Sequence, residues 1–195
     1  MSHVITISRE FGSGGRELGL RLAEKLGIPF YDKELIYVAA KESDIAEDVF
    51  HEYEESVDHV EIPAYTPFSN IYQVPMSDQI FLAQGRAIKK LAGEGPCVIV
   101  GRCADMVLED SVNLFICAPM KKRLERMLTI EKGAEPREME RRIREIDRKR
   151  KDYYQYYTGN TWGRAPHYDL CLNTGKAGIA GCLETVLAYL DTLEK

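Results

Sequence analysis

Two continuous apolar runs in the middle of the chain constrain its fold more than any other feature. The runs CVIVG (97–101) and VNLFICA (112–118) lack the apolar and polar alternation of a strand with one solvent-facing side. Such runs are typical of parallel strands that helices cover on both faces. Amphipathic helical patterns lie between and after other strand-like runs, so we expect an α/β fold with one parallel sheet.

Periodicity and chain-breaking residues predict the other elements. Further strands are expected at residues 3–8, at PFYD (29–32) on a sheet edge, and at YDLCLN (168–173). Helices are expected up to Gly27 and over residues 33–41, 45–57, 80–91, 120–132, 136–157 and 179–193. Residues 61–78 contain three prolines and predict a long mobile loop. The 195 residues are expected to form one three-layer α/β/α domain.

Positive charge is concentrated in one stretch. Residues 121–151 hold 13 of the 26 basic residues but only 7 of the 31 acidic residues. This stretch could contact an anionic molecule, and a nucleic acid is one candidate. The acidic remainder of the chain argues against a nucleic-acid partner, because it would repel the phosphate backbone.

Cysteine usage and hydropathy bear on location. Five cysteines (Cys97, Cys103, Cys117, Cys171 and Cys182) show no C-x-x-C spacing, which predicts reduced, buried thiols rather than disulfides or a zinc site. The chain passes directly from Met1 into a strand, so no signal peptide is expected, and no apolar stretch is long enough to cross a membrane. We therefore predict a cytoplasmic protein.

The segment SREFGSGGRE (8–17) reads as a strand, a glycine-rich turn and the start of a helix. Its glycines allow backbone amides to converge on an anion, at the positive end of the helix. The pattern G-x-x-x-x-G-K-[ST] is not met. When Gly14 is aligned with the second glycine, Arg9 replaces the first, Gly15 replaces the lysine, and the hydroxyl region reads Arg16–Glu17. A tight turn without a ligand is the alternative.

Two further arginines stand out by position. Arg102 follows the strand-like run VIVG, which would place it at the carboxyl edge of the sheet, where open α/β folds bind ligands. Arg150 lies within an apolar helical stripe with Asp147 one turn earlier, and an inward-facing charge needs a partner or a ligand. A surface arginine without a role is the alternative for Arg102.

Other side chains have simpler interpretations. The stripe of Arg137, Arg141, Arg144 and Arg148 is equally typical of a solvated face and of an anion site. The aromatic residues at 153, 154, 156, 157 and 162 could stack on a base, but packing is the commoner role. The four histidines show no metal-ligand spacing, so no protein metal site is predicted.

Taken together, the segments SREFGSGGRELG, PFYDKELI, VIVGRCAD, DRKRKDYYQYYTG and YDLCLNT resemble the cytidylate kinase-like branch of the P-loop nucleoside monophosphate kinases. The resemblance covers nearly the whole chain. It implies a parallel-sheet core, a substrate-binding insertion at about 33–80 and a lid at about 130–165. It also implies transfer of the ATP γ-phosphoryl group to CMP or dCMP, with Mg²⁺. A small-molecule nucleotide is thus the expected partner, rather than nucleic acid or membrane, and a homodimer remains open.

By position, the resemblance assigns residues to three roles. The residues expected to bind ATP are Arg9, Gly12, Ser13, Gly14, Gly15, Arg16, Glu17, Arg123 and Arg126. Acceptor binding is expected from Asp32, Arg102 and Asp105. Catalysis is expected from Arg16, Arg102, Asp147 and Arg150, with Arg16 in place of the missing lysine.

The chain also departs from the family pattern. Conventional members have an aspartate where this chain has Val100 and an arginine where it has Val38. Two alternatives therefore stay open, namely a nucleotide- or anion-binding protein without turnover and a kinase for a non-nucleotide acceptor.

Overall fold

The computed structural model describes residues 3–32 and 74–194, together with the single positions 38, 41, 43, 45 and 49. The described strands are β1 (Ile5–Arg9), β2 (Phe30–Tyr31), β3 (Val98–Val100), β4 (Val112–Cys117) and β5 (Leu170–Asn173). The helices are α1 (Gly15–Leu26), α2 (Met76–Gly93), α3 (Ala104–Val107), α4 (Met120–Ile130), α5 (Pro136–Thr158) and α6 (Thr174–Leu193). A short 3₁₀ turn spans Ala165–His167.

The five strands form one parallel sheet in the order β2-β3-β1-β4-β5. Alternate residues of a single strand enter cores on opposite faces. In β3, Val98 and Val100 pack with α1 and α6, whereas Ile99 packs with α2. The predicted α/β fold with helices on both faces is therefore confirmed, and this two-sided burial explains why the strands are continuously apolar.

Most predicted elements are found with shifted ends. The predicted loop at 61–78 is wrong at its end, because α2 already begins at Met76. Residues 61–73 of that loop and most of the helices predicted at 33–41 and 45–57 lie outside the described residues. The last helix begins at Thr174 rather than at residue 179, with a break at Gly178, whose backbone φ of 67° and ψ of 171° are not helical.

The prediction of buried thiols is wrong for Cys171. All five cysteines are free, and Cys97, Cys103 and Cys182 are buried, but Cys117 is half-buried and Cys171 is exposed. Strand β5 lies at the edge of the sheet, and its Leu170 and Leu172 face the core formed with α6. Cys171 therefore points to the opposite face, which is less covered. Among the described residues, no helix is both long and apolar enough to span a bilayer.

Candidate functional site

The glycine-rich turn connects β1 to α1 at the carboxyl edge of the sheet. Gly12 and Gly14 adopt left-handed conformations, with φ of 76° and 85°. A residue with a Cβ is strained there, so glycine is needed for the turn. Gly14 is the N-cap of α1, and its lack of a side chain leaves the first backbone amides of the helix free of a side-chain cap. The turn therefore presents N–H groups at the positive end of a helix, as an anion site requires.

Gly15, the first residue of α1, is needed for another reason. Its backbone is helical, but a Cβ at this position would lie 2.6 Å from Cβ and 3.1 Å from Cγ of Arg9. Contacts below 3.0 Å force a neighbour to move, and the Arg9 Cβ is fixed to the backbone. The stem of Arg9 thus fills the space that a side chain at position 15 would need.

The guanidinium of Arg9 extends to the end of the neighbouring strand β3. A Cβ on Gly101 would lie 2.2 Å from Nη1 of Arg9, so the guanidinium packs directly on the Gly101 backbone. Gly101, Arg102 and Cys103 all have positive φ, of 81°, 60° and 53°. Two consecutive non-glycine residues in this region are a strained arrangement of the kind that is concentrated at functional sites. This turn buries Arg102 beside Arg9.

Three arginines from separate elements meet in one small pocket. Arg9, Arg102 and Arg150 line a cavity of about 20 Å³, large enough for about one water molecule. The other lining residues are Ser8, Gly101, Cys103, Tyr153, Tyr154 and Trp162. Arg102 is buried rather than a surface arginine, and the structure brings it together with Arg150.

A larger cleft of about 550 Å³ opens beside this pocket. Arg9 and Arg150 line it as well, together with the glycine-rich turn, Arg16, Glu17, Asp32 and Arg126. Within it, Nε of Arg16 donates to Oδ2 of Asp32 over 2.6 Å, and 57% of the Arg16 side chain is exposed. Arg16 is thus bonded to a carboxylate that is itself expected to contact the acceptor.

A second cleft of about 510 Å³ lies along the turn, between α4 and the start of α6. Its lining includes Gly12, Ser13, Glu17, Lys122 and Arg126, and the segment 174–180 closes its far side. The Ser13 hydroxyl is buried and has no hydrogen-bond partner in the described part of the chain. A buried hydroxyl without a partner is costly unless a ligand completes it. Thr174 supports the turn by donating to the Ser13 carbonyl over 2.5 Å.

Glu17 and Arg126 form an ion pair between the two clefts. Glu17 also contacts Arg21 over 2.5 Å. The hydrogen bond from Arg126, with a smaller contribution from Arg21, lowers the pKa of Glu17. The carboxylate is therefore ionised at neutral pH, and an anion entering either cleft would compete with it for Arg126.

Helix α5 holds the glycine-rich turn from the other side. Asp147 accepts the Phe11 N–H over 2.7 Å and pairs with the buried Arg123, which itself donates to the Phe11 carbonyl over 3.3 Å. Arg150 donates to the Arg9 carbonyl over 3.1 Å. Asp147, Arg123 and Arg150 therefore position the backbone of the turn. These contacts explain why the charged residues Asp147 and Arg150 lie on the inward-facing side of α5.

Asp105 is buried behind Arg102 and is not among the residues that line these cavities. Its carboxylate accepts a 2.7 Å hydrogen bond from the Tyr154 hydroxyl. Burial raises the pKa of Asp105, and the Tyr154 hydrogen bond partly opposes that rise. Burial and the nearby carboxylate also raise the pKa of Tyr154, and they raise the pKa of Tyr168 to about 12. Both phenols are therefore neutral at physiological pH, and the Tyr154 hydroxyl can donate to Asp105.

The aromatic residues of α5 mainly pack. Tyr153 and Tyr154 are buried, and Tyr157 stacks on Phe81 with ring centroids 4.0 Å apart. Trp162 meets Phe115 edge to face at 5.3 Å. The arginine stripe of α5 is exposed and lies beside carboxylates of the same helix, for example Arg144 beside Glu140 at 2.6 Å. These contacts favour the solvated interpretation.

Sequence reasoning missed several residues that shape the site. The Glu10 carboxylate accepts a hydrogen bond from the Ala118 N–H over 3.0 Å and lies near Arg123. These contacts anchor the turn to the end of β4. The bond from Tyr154 to Asp105 was also missed, because the two residues are distant in sequence. For Glu10 the available signal was its place next to Arg9 in the segment 8–17.

Comparisons with known proteins agree with this architecture. A family model described as the cytidylate kinase-like family matches residues 4–176. A comparison with curated proteins finds no match.

Solved structures of similar fold cover nearly all of the chain. A crystal structure of an uncharacterized protein from Eubacterium ventriosum ATCC 27560 is 26% identical, with a TM-score of 0.74, and covers 97% of this chain and 98% of that one. Shikimate kinase from Bacteroides thetaiotaomicron is 15% identical, with a TM-score of 0.57 and coverage of 98% and 99%. Shikimate kinase from Acinetobacter baumannii is 12% identical, with a TM-score of 0.56 and coverage of 98% and 94%. The fold is therefore that of P-loop kinases.

Proposed function

The chain belongs to the cytidylate kinase-like family, and on this premise we propose that it transfers the γ-phosphoryl group of ATP to CMP or dCMP. One observation carries the proposal. Arg9, Arg102 and Arg150 converge on a single pocket at the end of the glycine-rich turn. Guanidinium groups bind phosphate oxygens through paired hydrogen bonds, so three of them favour an acceptor that carries a phosphate.

The turn and the clefts beside it fit the triphosphate of ATP. Backbone N–H groups at the start of α1 can donate hydrogen bonds to phosphate oxygens. Lys122 and Arg126 supply positive charge from α4. The buried Ser13 hydroxyl lacks a partner among the described residues, as expected of a group that a ligand completes. The segment 174–180 would then lie beside the rest of the nucleotide.

The residues also fit Mg²⁺ held mainly by phosphate. The described residues contain no cluster of three metal-ligating side chains, but Mg²⁺ is usually bound by one or two protein oxygens, substrate phosphates and water. Ser13 and Glu17 line the same cleft and offer such oxygens. Bound there, the ion would neutralise charge on the phosphates.

For the acceptor, we propose the side of the turn on which Asp32 and Arg102 lie. Asp32 can accept hydrogen bonds from a base or a sugar, and its bond to Arg16 fixes its orientation. The small pocket has room for about one water, so the acceptor phosphate would lie in the adjoining cleft, against Arg150 and with Arg102 beside it. Asp105 contributes indirectly, because it lies three residues beyond Arg102 and its carboxylate is tied to Tyr154.

The chemistry required of the protein is positioning and charge neutralisation. Phosphoryl transfer passes through a state in which charge is spread over phosphate oxygens and the attacking and leaving oxygens are in line. Arginines from β1, β3 and α5 approach that region from three directions. Because Asp147 and Arg150 also bind the turn, movement of α5 would be coupled to the turn and to closure over the substrates, which excludes water.

A coupled ADP-release assay tests the proposal. With Mg²⁺-ATP as donor, CMP, dCMP, UMP, AMP, GMP and shikimate are compared as acceptors. We expect CMP or dCMP to stimulate ADP release, and Arg150→Ala to lower kcat/KM by about 100-fold through loss of charge-assisted bonds to phosphate. Arg144→Ala is the control, because Arg144 lies on a solvent-exposed face of the same helix and pairs with Glu140.

Each outcome has a defined meaning. Stimulation by shikimate alone would identify a non-nucleotide kinase and contradict the proposed acceptor. ATP binding without stimulation by any acceptor would favour a nucleotide-binding protein that lacks turnover. A similar loss in Arg144→Ala and Arg150→Ala would show that general charge, rather than the pocket, determines the rate.

A further inference from the structure

We propose that Arg9 takes the place of the missing lysine of the glycine-rich turn, and that Arg9 and Gly15 form a sterically matched pair. The inference rests on the proposed function for its ligand, the phosphates of ATP, but its steric part stands on geometry alone. In the usual pattern a glycine stands at the position of Arg9 and a lysine at the position of Gly15. This chain has exchanged the two, with a cationic side chain at the first position and none at the second.

The exchange has a direct steric cause. A Cβ on Gly15 would lie 2.6 Å from Cβ of Arg9, 3.1 Å from its Cγ and 3.2 Å from Cβ of Ile116. The first distance joins two atoms fixed to the backbone, so a change of rotamer cannot relieve it. A side chain at position 9 therefore excludes a side chain at position 15.

The position of the Arg9 guanidinium indicates what the exchange could do for phosphate binding. It packs on the Gly101 backbone at the end of β3, in the pocket that Arg102 and Arg150 share. Arg9 and Arg150 also line the larger cleft beside the turn. Because the glycine-rich turn lines that cleft too, the Arg9 charge lies between the turn and the proposed acceptor site, the region in which a transferred phosphoryl group would develop negative charge.

The other cations of the turn are engaged differently. Arg16, which the sequence analysis assigns to the lysine's role, donates to Asp32 and is more than half exposed. Arg126 pairs with Glu17, so a phosphate must compete with that carboxylate for it. The stem of Arg9 occupies the space that a Cβ at position 15 would need.

A stability experiment tests the steric match without any substrate. Gly15→Ala is made in three backgrounds, namely the natural chain, Arg9→Ala and Arg9→Gly. Because Arg9→Ala keeps the Cβ and Arg9→Gly removes it, we expect Gly15→Ala to lower Tm by about 3–10 °C in the first two backgrounds and by less than about 2 °C in the third. Equal losses in the Arg9→Ala and Arg9→Gly backgrounds would overturn the steric match.

A binding experiment tests the role of the charge. Calorimetry with inorganic tripolyphosphate compares the natural chain with Arg9→Gln, which keeps the stem and loses the charge. We expect affinity to fall by about 10- to 100-fold with Tm nearly unchanged. Undiminished affinity in Arg9→Gln would overturn the assignment.

Two double variants of unchanged net charge complete the test. Arg9→Gly with Gly15→Lys restores the usual pattern and should recover affinity to within about threefold of the natural chain, whereas Arg9→Ala with Gly15→Lys should not, because the Cβ remains. Equal affinities in the two would contradict the inference. If no acceptor stimulates ADP release but these binding and stability results are obtained, the proposed phosphoryl transfer is wrong. The inference that Arg9 replaces the lysine is then still supported.

Discussion

The Tyr154 hydroxyl is the hydrogen-bond partner of a carboxylate buried beneath Arg102. Asp105 is 8% exposed, and burial raises its pKa while the 2.7 Å bond from Tyr154 opposes the rise. The native chain therefore holds a proton on Asp105 more tightly than the unfolded chain does. Between the ordinary pKa of 3.8 and the raised pKa of Asp105, the stability of the protein therefore falls as pH rises. Above that pH window the carboxylate is ionised, and the hydrogen bond from Tyr154 stabilises its charge.

Tyr154→Phe is expected to destabilise the protein by about 1–3 kcal/mol near neutral pH, because it leaves a buried carboxylate without its donor. The loss should shrink as pH falls through the raised pKa of Asp105, since the protonated acid needs that donor less. Urea unfolding from about pH 8 to about pH 4 measures this change. Tyr156→Phe, at a side chain that is 51% exposed, is the control. A loss that does not vary with pH would contradict the electrostatic explanation.

The individual residues show where sequence reasoning succeeds and where it ends. Helical spacing placed Arg150 and Asp147 on an inward face, and the structure gives both of them backbone partners in the turn. The bond between Tyr154 and Asp105 joins residues 49 positions apart, and no periodicity reports such a pair. Likewise, the arginine at position 9 was evident, but its contact with Gly101 depends on the order of the strands.

Two of the three glycines of helix α6 have opposite conformational requirements. Gly178 has a φ of 67° and a ψ of 171°, a region almost restricted to glycine, whereas Gly181 lies in regular helix with its nearest neighbour at 3.4 Å. We expect Gly178→Ala to destabilise by about 1–3 kcal/mol and Gly181→Ala to stabilise by about 0.5–1 kcal/mol. Urea unfolding of both variants checks the opposite signs. A stabilising Gly178→Ala would show that the break at the start of α6 is not required.

Asp147 lets helix α5 support the glycine-rich turn. Asp147→Ala leaves the buried Arg123 without this partner, so we expect the free energy of unfolding to fall by about 2–4 kcal/mol. The loss should be somewhat smaller than for a fully buried pair, because Asp147 is partly exposed. Hydrogen exchange at the Phe11 amide should accelerate in parallel, since Asp147 accepts that N–H.

The matched control for Asp147→Ala is Asp152→Ala, on the exposed side of α5. Asp152 lies 3.8 Å from Arg148, and both side chains are more than half exposed. Its removal should cost less than about 1 kcal/mol and leave exchange at Phe11 unchanged. If Asp147→Ala impairs phosphoryl transfer but changes neither stability nor exchange, Asp147 acts on the substrates rather than on the turn.

The secondary structure elements were largely predictable because their burial is periodic. Strands β3 and β4 were evident as continuous apolar runs, and α4 and α5 from their apolar stripes. The start of α2 at Met76 was missed because Pro75 precedes it and reads as part of a proline-containing loop, although here Pro75 is the N-cap. The exposure of Cys171 depends on β5 being an edge strand, which local pattern does not reveal.

Over the whole chain, the concentration of positive charge in residues 121–151 does not create an open cationic surface. Exposed basic residues of α4 and α5 lie beside acidic ones, as Lys122 lies beside Glu125, Arg142 beside Glu131 and Arg144 beside Glu140. Arg123 is buried within the fold. Much of this charge is therefore balanced by neighbouring carboxylates or directed toward the glycine-rich turn.

This distribution predicts weak binding to nucleic acid. Fluorescence anisotropy with a labelled single-stranded RNA should give a Kd weaker than about 100 μM at about 150 mM salt, because few phosphate contacts are available to release counterions. ATP should bind far more tightly under the same conditions. Micromolar RNA affinity with a steep salt dependence would restore the nucleic-acid interpretation.

The fold class followed from the alternation of buried strands with amphipathic helices, but the order of the strands did not. Placing β1 between β3 and β4 brings Arg9 beside Arg102, although 93 positions separate them in the sequence. The pocket that these arginines line is thus a property of the sheet order. Local patterns singled out Arg102 and Arg150 one at a time, and the assembled sheet determines that they meet Arg9.

The close approach at Gly15 also limits the order in which sequences of this type can change. Consider single substitutions that connect a turn with glycine at position 9 and lysine at position 15 to the present one. Gaining the arginine first would create the 2.6 Å conflict between the two Cβ atoms. The accessible route therefore passes through glycine at both positions, a turn with neither cation. Any lineage that took it lost the positive charge at position 15 before it gained one at position 9, or changed both positions at once.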